Sequence, residues 1–293
     1  MRVAIATCAS VPPQFDDDGL IVEALRRRGV EAGFVEWDDA AADWDAFDLV
    51  VVRSTWDYTG RLEEFLGWAE RVGGRLRNRP EVIRWNSDKR YLADLEAAGV
   101  AVVRTGFVAP DDEPPELSGE VVIKPTVSAG GRDTGRFGPE THAEACALLA
   151  RLAAAGRMAM IQPYLAAVDQ RGETALVHVA GEFTHALRKR AVLRPDEEAP
   201  LRDDDLAAAE AMYDPELVRA TEATEAERTL ASEVISHLTD RFGSSPLYAR
   251  VDLVPGPNGN PILLELEVVE PCLYLHESPA TAERLAEAIV VAL

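Results

Sequence analysis

The chain has 293 residues, is 47% hydrophobic and carries a formal net charge of −21 at pH 7. That length accommodates one large domain or two to three small ones around real cores, and the charge argues against nucleic acid or an anionic membrane as partner of the surface as a whole. No apolar run is long enough to span a bilayer, and the opening apolar segment, residues 2–7, is too short for a signal peptide, so a cytoplasmic location is expected.

Cys8, Cys146 and Cys272 are far apart and lack metal-ligand spacing, as expected of three free thiols in a reducing compartment. Nearly all the basic residues are Arg; only Lys89, Lys124 and Lys189 are Lys. A chain that otherwise meets its need for positive charge with Arg has a use for a compact ammonium at those three places, unless they are chance in an Arg-rich composition.

In chain order, residues 2–7 form an apolar strand and residues 19–28 a helix stopped by Gly29. Residues 48–52 form a second strand that runs into Arg53-Ser-Thr-Trp-Asp-Tyr58, and a helix over 61–72 ends at Gly73-Gly74. Strands alternating with helices predict a parallel sheet, whose ligands bind beyond the carboxyl ends of the strands. Residues 7–10 and 53–58 are thereby placed at a site mouth, with loop packing the equal alternative for Trp56 and Tyr58. Asn86-Ser-Asp-Lys89 is expected to open a helix through residue 98, with Asn86 or Ser87 as N-cap. Lys89 in its first turn would oppose the helix dipole unless it serves an anion. A strand over 101–108 and an acidic, Pro-rich joint over 109–119 follow.

Residues 120–125 form a strand that delivers Lys124 at its end. The small-residue loop 126–136, with Gly130 and Gly131, offers backbone amides that suit phosphates, although most such loops are only turns. It is not a Walker loop. Thr141 and Glu144 suggest a capping box opening a helix over 143–155. Residues 158–165 read as a strand entering a hinge, and 172–179 with 182–190 as a hairpin ending in Arg188-Lys189-Arg190, a basic cluster suited to an anion. Residues 194–215 are charged and expected to be a loop or lid. A helix over 224–242, strands over 248–254 and 261–270, and a closing helix over 280–293 complete the chain.

The last two strands are the most informative. With period-2 alternation, Arg250 and Asp252 share a face, as do Glu265 and Glu267, while Leu264, Leu266 and Val268 face a core. Three carboxylates gathered on one face repel one another unless a partner offsets the charge. A hard dication with oxygen ligands is the simplest partner, and Arg250 beside them suggests that it arrives with an anion such as phosphate. A solvated acidic face is the even alternative for the hairpin taken alone.

Taken together, Ile123-Lys-Pro125, Ile161-Gln-Pro-Tyr164 and Arg250-Val-Asp252 followed by Leu264-Glu-Leu-Glu267 resemble the ATP-grasp ligases of the glutathione-synthetase and ribosomal-protein-modifying type. The resemblance spans nearly the whole chain. It implies an α/β (α+β) ATP-grasp fold, with an N-terminal parallel domain (1–108), a small lid subdomain (109–162) and a C-terminal subdomain carrying the Mg-binding hairpin (163–293). It implies ATP and Mg²⁺, with Lys89, Lys124, Gly130 and Gly131 at the phosphates. Gln162, Pro163 and Tyr164 would edge the adenine, and Glu173, before Asp169, would accept the ribose. Asp252, Glu265 and Glu267 would bind two magnesium ions, and Arg250, Lys189 and Arg188 would act on the transferred group. Glu267 departs from the family's usual Asn. Ser54, Thr55, Asp57 and His185 are expected at the substrate; the other histidines, His142, His178, His237 and His276, show no metal spacing.

Such chemistry activates a carboxylate as an acyl phosphate for attack by an amine. Mg²⁺ and the basic side chains hold the mutually repelling reactants in line, and no protein nucleophile is needed. Arg53-Ser-Thr-Trp-Asp-Tyr58, His185-Ala-Leu-Arg-Lys189 and Leu264-Glu-Leu-Glu-Val-Val-Glu-Pro271 are similar to an ATP-grasp group that closes a ring in O-ureido-D-serine to make D-cycloserine. The implied partner is a small amino-acid-derived substrate, with a homo-oligomer left open. An intermolecular dipeptide or amino-acid ligase is the rival within the class. A nucleotide-binding module without chemistry is the rival outside it.

Overall fold

The computed structural model of the chain describes residues 1–9, 11, 17–191, 193 and 217–293. The charged segment 194–215 and Ser10 of the expected mouth lie outside the described residues.

The N-terminal part runs β1 (Arg2–Thr7), α1 (Asp18–Arg27), β2 (Glu31–Glu36), β3 (Leu49–Val52), α2 (Leu62–Val72) and β4 (Leu76–Arg77). Its strands form a parallel sheet in the order β2-β1-β3-β4. Alternate residues of β1 serve two cores. Val3 and Ile5 pack with Ile21 and Leu25 of α1, whereas Ala4 and Ala6 pack with Phe65 and Trp68 of α2. Burial on both faces is why the strand reads as a continuous apolar run. β2, with its Gly33 and terminal glutamates, carries no such run and is not apparent from the sequence.

Two short helices follow, α3 (Pro80–Asn86) and α4 (Tyr91–Ala97). The single helix expected to begin at Asn86 is therefore two. Pro80 supplies the pre-set first turn of α3, Asn86 is its last residue, and the Ser87 hydroxyl donates back to the Ile83 carbonyl at 2.7 Å. Lys89 lies in the turn between them, just before the Arg90 N-cap of α4.

β5 (Gly106–Val108), β6 (Val121–Pro125), β7 (Gly135–Phe137) and β8 (Ala159–Pro163), with α5 (His142–Ala154) on one face, form a four-stranded antiparallel sheet in the order β5-β8-β6-β7. The strand expected over 101–108 is divided. Its first residues meet Leu263 of another sheet, with Val103 N–H donating to the Leu263 carbonyl at 2.8 Å, and only Gly106–Val108 joins this one. The capping box expected at Thr141 and Glu144 is absent; the Thr141 hydroxyl donates instead to the Gly138 carbonyl at 3.2 Å.

After α6 (Ala167–Arg171) come β9 (Glu173–Val179), β10 (Glu182–Lys189), β11 (Val218–Thr221), α7 (Glu225–Phe242), β12 (Tyr248–Pro255), β13 (Pro261–Glu267) and α8 (Pro279–Val291). The strands form an antiparallel sheet ordered β11-β10-β9-β12-β13. A capping box does open α7, where the Thr224 hydroxyl accepts from the Glu227 amide and the Glu227 carboxylate accepts from the Thr224 amide. The final hairpin is an edge of its sheet, and edges need covering. Here buried amides cover it. Asn86 Nδ2 donates to the Leu266 carbonyl at 2.8 Å and its Oδ1 accepts from the Val268 amide at 2.9 Å; the Tyr91 hydroxyl accepts from the Leu266 amide at 2.9 Å. Asn78 acts likewise on the carbonyls of Tyr248 and Val268.

Two consequences are measurable. Asn86→Leu keeps the bulk but strands the buried Leu266 carbonyl and Val268 amide, and should cost about 2–4 kcal/mol in urea unfolding; a loss below about 0.5 kcal/mol would remove the amide from this role. His178, 1% exposed on β9, has its pKa lowered to about 4 by burial, which outweighs the nearby Leu176 carbonyl. The unfolded imidazole takes up its proton near pH 6.5 while the folded one stays neutral, so stability is full above that pH and falls as pH drops towards 4. The loss should reach about 3 kcal/mol, and His178→Phe should remove that part of the pH dependence in unfolding curves between pH 7 and 5; an unchanged slope would contradict it.

Candidate active site

The site is built on the β12–β13 hairpin. Register pairs Arg250 with Glu267 and Asp252 with Glu265, so the four side chains share one face as the alternation predicts. A bulge follows, because Leu253 pairs with Leu263. Leu264 is thereby the extra residue and lines the cleft, while Leu263, Leu266 and Val268 enter the core. The expectation that Leu264 faces the core fails on that bulge.

Cations from four stretches meet this face. Lys89 Nζ lies 3.2 Å from one Glu265 oxygen, and Lys124 Nζ, from the end of β6, 3.3 Å from the other. Lys189, the last residue of β10, bridges Asp252 at 2.8 Å and Glu173 at 3.1 Å. Arg250 chelates Asp252 with two contacts of 2.9 Å and also donates to Glu267. All three lysines of the chain thus converge in one cleft. Burial works to raise the Glu265 pKa, but Lys124 and Lys89 hold it far below the ordinary carboxylate range. Asp252 is lowered in the same way by Arg250 and Lys189. Glu267 is raised, because burial together with Glu265 and Asp252 outweighs Arg250.

The cleft has a volume of about 260 Å³. One end is apolar, formed by Val103, Leu165, Val168, Val254 and Leu264, and edged by Gln162, Pro163 and Tyr164. Arg136 stacks 3.4 Å from the Tyr164 ring centroid and holds Asp169 with contacts of 3.0 and 3.1 Å. Asp169 does not line the cleft, whereas Glu173, paired with Lys189, does. The small-residue loop covers the middle. Gly130 and Gly131 have φ of 63° and 72°, a region that favours glycine, and the Ser128 carbonyl accepts from Lys89 Nζ at 2.6 Å. Arg132 ties the loop to the N-terminal part, donating to the Trp56 carbonyl at 2.7 Å and Thr59 Oγ1 at 3.0 Å. At the far end stand Trp56, Tyr58, Glu270, Cys272 and Tyr274. Burial, then Glu267, pushes the Glu270 carboxyl up to about 8, and burial pushes the Cys272 thiol up to about 12.

The structure gathers Lys89, Lys124, Gly130, Gly131, Gln162, Pro163, Tyr164, Glu173, Lys189, Arg250, Glu265 and Glu267 around this cleft, with Asp252 buried directly beneath. It does not bring in the others. Arg188 precedes Lys189 on β10 and so takes the opposite face, donating to the Arg171 carbonyl at 3.1 Å. His185 is held by the Leu273 carbonyl at 3.0 Å and Thr281 at 3.0 Å, beside α8. Ser54 bonds Thr7 at 2.8 Å, Thr55 is fully buried, and Asp57 accepts from Trp37 Nε1 at 2.8 Å and from Arg61. These three lie beside the mouth without lining it. Of the expected mouth, Trp56 and Tyr58 do line it.

Arg132, Ser128, Glu270, Cys272 and Tyr274 were not expected at the site. Glu270 had a signal, the run of carboxylates at 265, 267 and 270, but β13 ends at Glu267, so alternation does not place it. As placed, each of Asp252, Glu265 and Glu267 faces a cation, and among the described residues no three His, Cys, Asp or Glu side chains converge at metal-ligating distance. The donor set, carboxylate oxygens on adjacent strands, fits a hard dication. No helix of the described residues is long and apolar enough to cross a membrane.

A family model for the N-terminal domain of D-cycloserine synthetase DcsG matches residues 3–78. The cycloserine biosynthesis protein DcsG of Streptomyces lavendulae is 36% identical over 97% of this chain and 96% of its own length. A crystal structure of D-cycloserine synthetase DcsG superposes with a TM-score of 0.89 at 34% identity, covering 100% of both chains. A D-alanine–D-alanine ligase from Bacillus anthracis complexed with ATP shares the fold, with a TM-score of 0.67 at 13% identity over 100% of this chain and 97% of that one. The parallel N-terminal sheet and paired antiparallel sheets are those of the ATP-grasp fold, and by its likeness along nearly its full length the chain belongs to the DcsG family of ATP-grasp ligases.

Proposed function

We propose that this ligase uses ATP and Mg²⁺ to activate the carboxylate of a small amino-acid derivative, O-ureido-serine, which a nitrogen of the same molecule then attacks to close a ring. The observation that carries the reading is the convergence of Lys89, Lys124, Lys189 and Arg250 on the paired carboxylates of one hairpin. Four cations beside four carboxylates, next to an apolar slot edged by a Gln-Pro-Tyr hinge, suit a metal-bound triphosphate carrying a flat base. The names of the relatives support cyclisation over joining two molecules.

In this reading Asp252, Glu265 and Glu267 would hold Mg²⁺, which would supply neutralisation of phosphate charge. Lys89, Lys124 and the amides at Gly130 and Gly131 orient the phosphates, and Gln162, Pro163 and Tyr164 edge the adenine. Glu173 accepts the ribose, while Arg250 and Lys189 lie at the group in transfer. The substrate carboxylate oxygen bonds to the γ-phosphorus as the bond to ADP breaks. Nitrogen then bonds to the acyl carbon, phosphate leaves, and the nitrogen gives up a proton. The catalytic contribution is charge neutralisation and alignment. The three bodies proposed for this work are 1–108, 109–162 and 163–293.

Mg²⁺-dependent ADP release should require O-ureido-serine and no second amine. A requirement for a second amine would replace ring closure by intermolecular ligation, and no release with any amino-acid derivative would leave a binding module. Lys124→Ala and Glu265→Ala should each lower kcat by about 10³-fold while circular dichroism is unchanged. Wild-type turnover in either variant would refute the site.

A further inference from the structure

The charges around the cleft do not all find partners. Glu265 meets Lys89 and Lys124, Glu173 meets Lys189, Asp252 meets Lys189 and Arg250, and Glu267 meets Arg250. Glu270 is the remaining carboxyl of the cleft, and among the described residues no Lys, Arg or His lies within ion-pair distance of it. Its carboxyl interacts with the Tyr58 hydroxyl. Its carbonyl accepts from Trp56 Nε1 at 2.9 Å. Tyr58 is itself 3% exposed and stacks on Phe65 with centroids 4.7 Å apart, so the ring beside the carboxyl is fixed. The corner is thus a fixed acceptor beside Trp56 and Tyr58, at the end of the cleft opposite the apolar slot.

An amino-acid derivative presents two charges to such a cleft. Its carboxylate belongs where the cations are. Its ammonium needs a carboxylate not already committed to one, and gains further from aromatic faces close by. Resting on the reading above, we propose that Glu270 receives the cationic amino group of the substrate, with Trp56 and Tyr58 flanking it, and so restricts the enzyme to acids that carry a free amino group. N-acylated and peptidyl acids are disfavoured by the same residue, because they lack the cation that would hold the Glu270 carboxyl ionised and so forgo that ion pair. Glu270 is here a specificity residue; the activation of the carboxylate does not pass through it.

The experiment compares ADP release from O-ureido-serine, its N-acetyl derivative and its desamino analogue, in the wild type and in Glu270→Gln. The wild type should prefer the free amine by about 100-fold or more in kcat/KM. Glu270→Gln should raise the KM for O-ureido-serine by about 30-fold, collapse the preference to within about 5-fold, and leave the affinity for a non-hydrolysable ATP analogue unchanged. A wild type that turns over all three acids equally would overturn the assignment while leaving the ligase reading intact. So would a Glu270→Gln variant that loses kcat but keeps its KM and its preference, which is the behaviour of a proton acceptor. Glu270→Asp keeps the charge and should keep the preference; if Glu270→Gln does not fold, loss of preference in Glu270→Asp is the overturning result. A wild type that binds nucleotide yet releases no ADP with any amino-acid derivative would instead remove the ligase reading, and this assignment with it.

Discussion

Everything at this site depends on one electrostatic constraint: buried carboxylates on an edge hairpin must be neutralised by groups from elsewhere in the chain. Asp252 is 2% exposed and Arg250 is 5% exposed. Ions taken that far from water incur several kcal/mol each, which only close, well-directed partners offset. The partners come from the turn after α3, the end of β6, the end of β10 and β12 itself, so one face of one hairpin draws three separate parts of the fold together. Replacing such a cluster by apolar residues of equal size is often no worse for stability. The cluster is therefore better understood as the working part of the cleft than as a stability device.

The same constraint accounts for the way the hairpin is held. An edge strand that carries charges towards a cleft cannot also be protected by charges on its open edge. Asn86, Tyr91 and Asn78 close it instead, with donors and acceptors matched to individual backbone groups. Asn86 and Tyr91 flank the Lys89 turn, so closing the edge and delivering a lysine are tasks of one short segment. That coupling explains why Lys89 sits in a turn: a continuous helix through Asn86 would not turn the Asn86 amide to β13 and the Lys89 ammonium to Glu265 together.

Glu267, where the wider family has Asn, meets Arg250. Burial and its acidic neighbours outweigh that single contact and raise its pKa, whereas Glu265, with two lysines, is lowered. The two glutamates of one short motif are therefore shifted in opposite directions, and the difference comes from the number of cations each faces. Three residues on, Glu270 has no cation at ion-pair distance among the described residues, and burial together with Glu267 outweighs Lys89 and pushes it up to about 8. Along the run 265, 267, 270 the carboxyl groups become progressively less well neutralised from the phosphate end of the proposed site to the substrate end.

Much of this was legible in the sequence, and the gaps have physical causes. The two-residue period of β12 and β13 put Arg250, Asp252, Glu265 and Glu267 on one face, and the rarity of Lys marked three side chains that do meet there. The same period also forbade Arg188 and Lys189 from sharing a cleft, a consequence available from the sequence but obscured by their contiguity. Leu264 was beyond reach, since a bulge shifts the register without any Gly or Pro to announce it. Lys89 was misplaced because Pro80 starts a helix that Asn86 ends, and a polar Asn-Ser-Asp segment reads equally as a start or a stop. His185 and Asp57 are polar residues whose partners, Thr281 and Trp37, are distant in sequence. Polar character marks a residue that needs a partner; only the fold decides whether that partner is the protein or its ligand, and at Glu270 the described residues supply no cation at ion-pair distance.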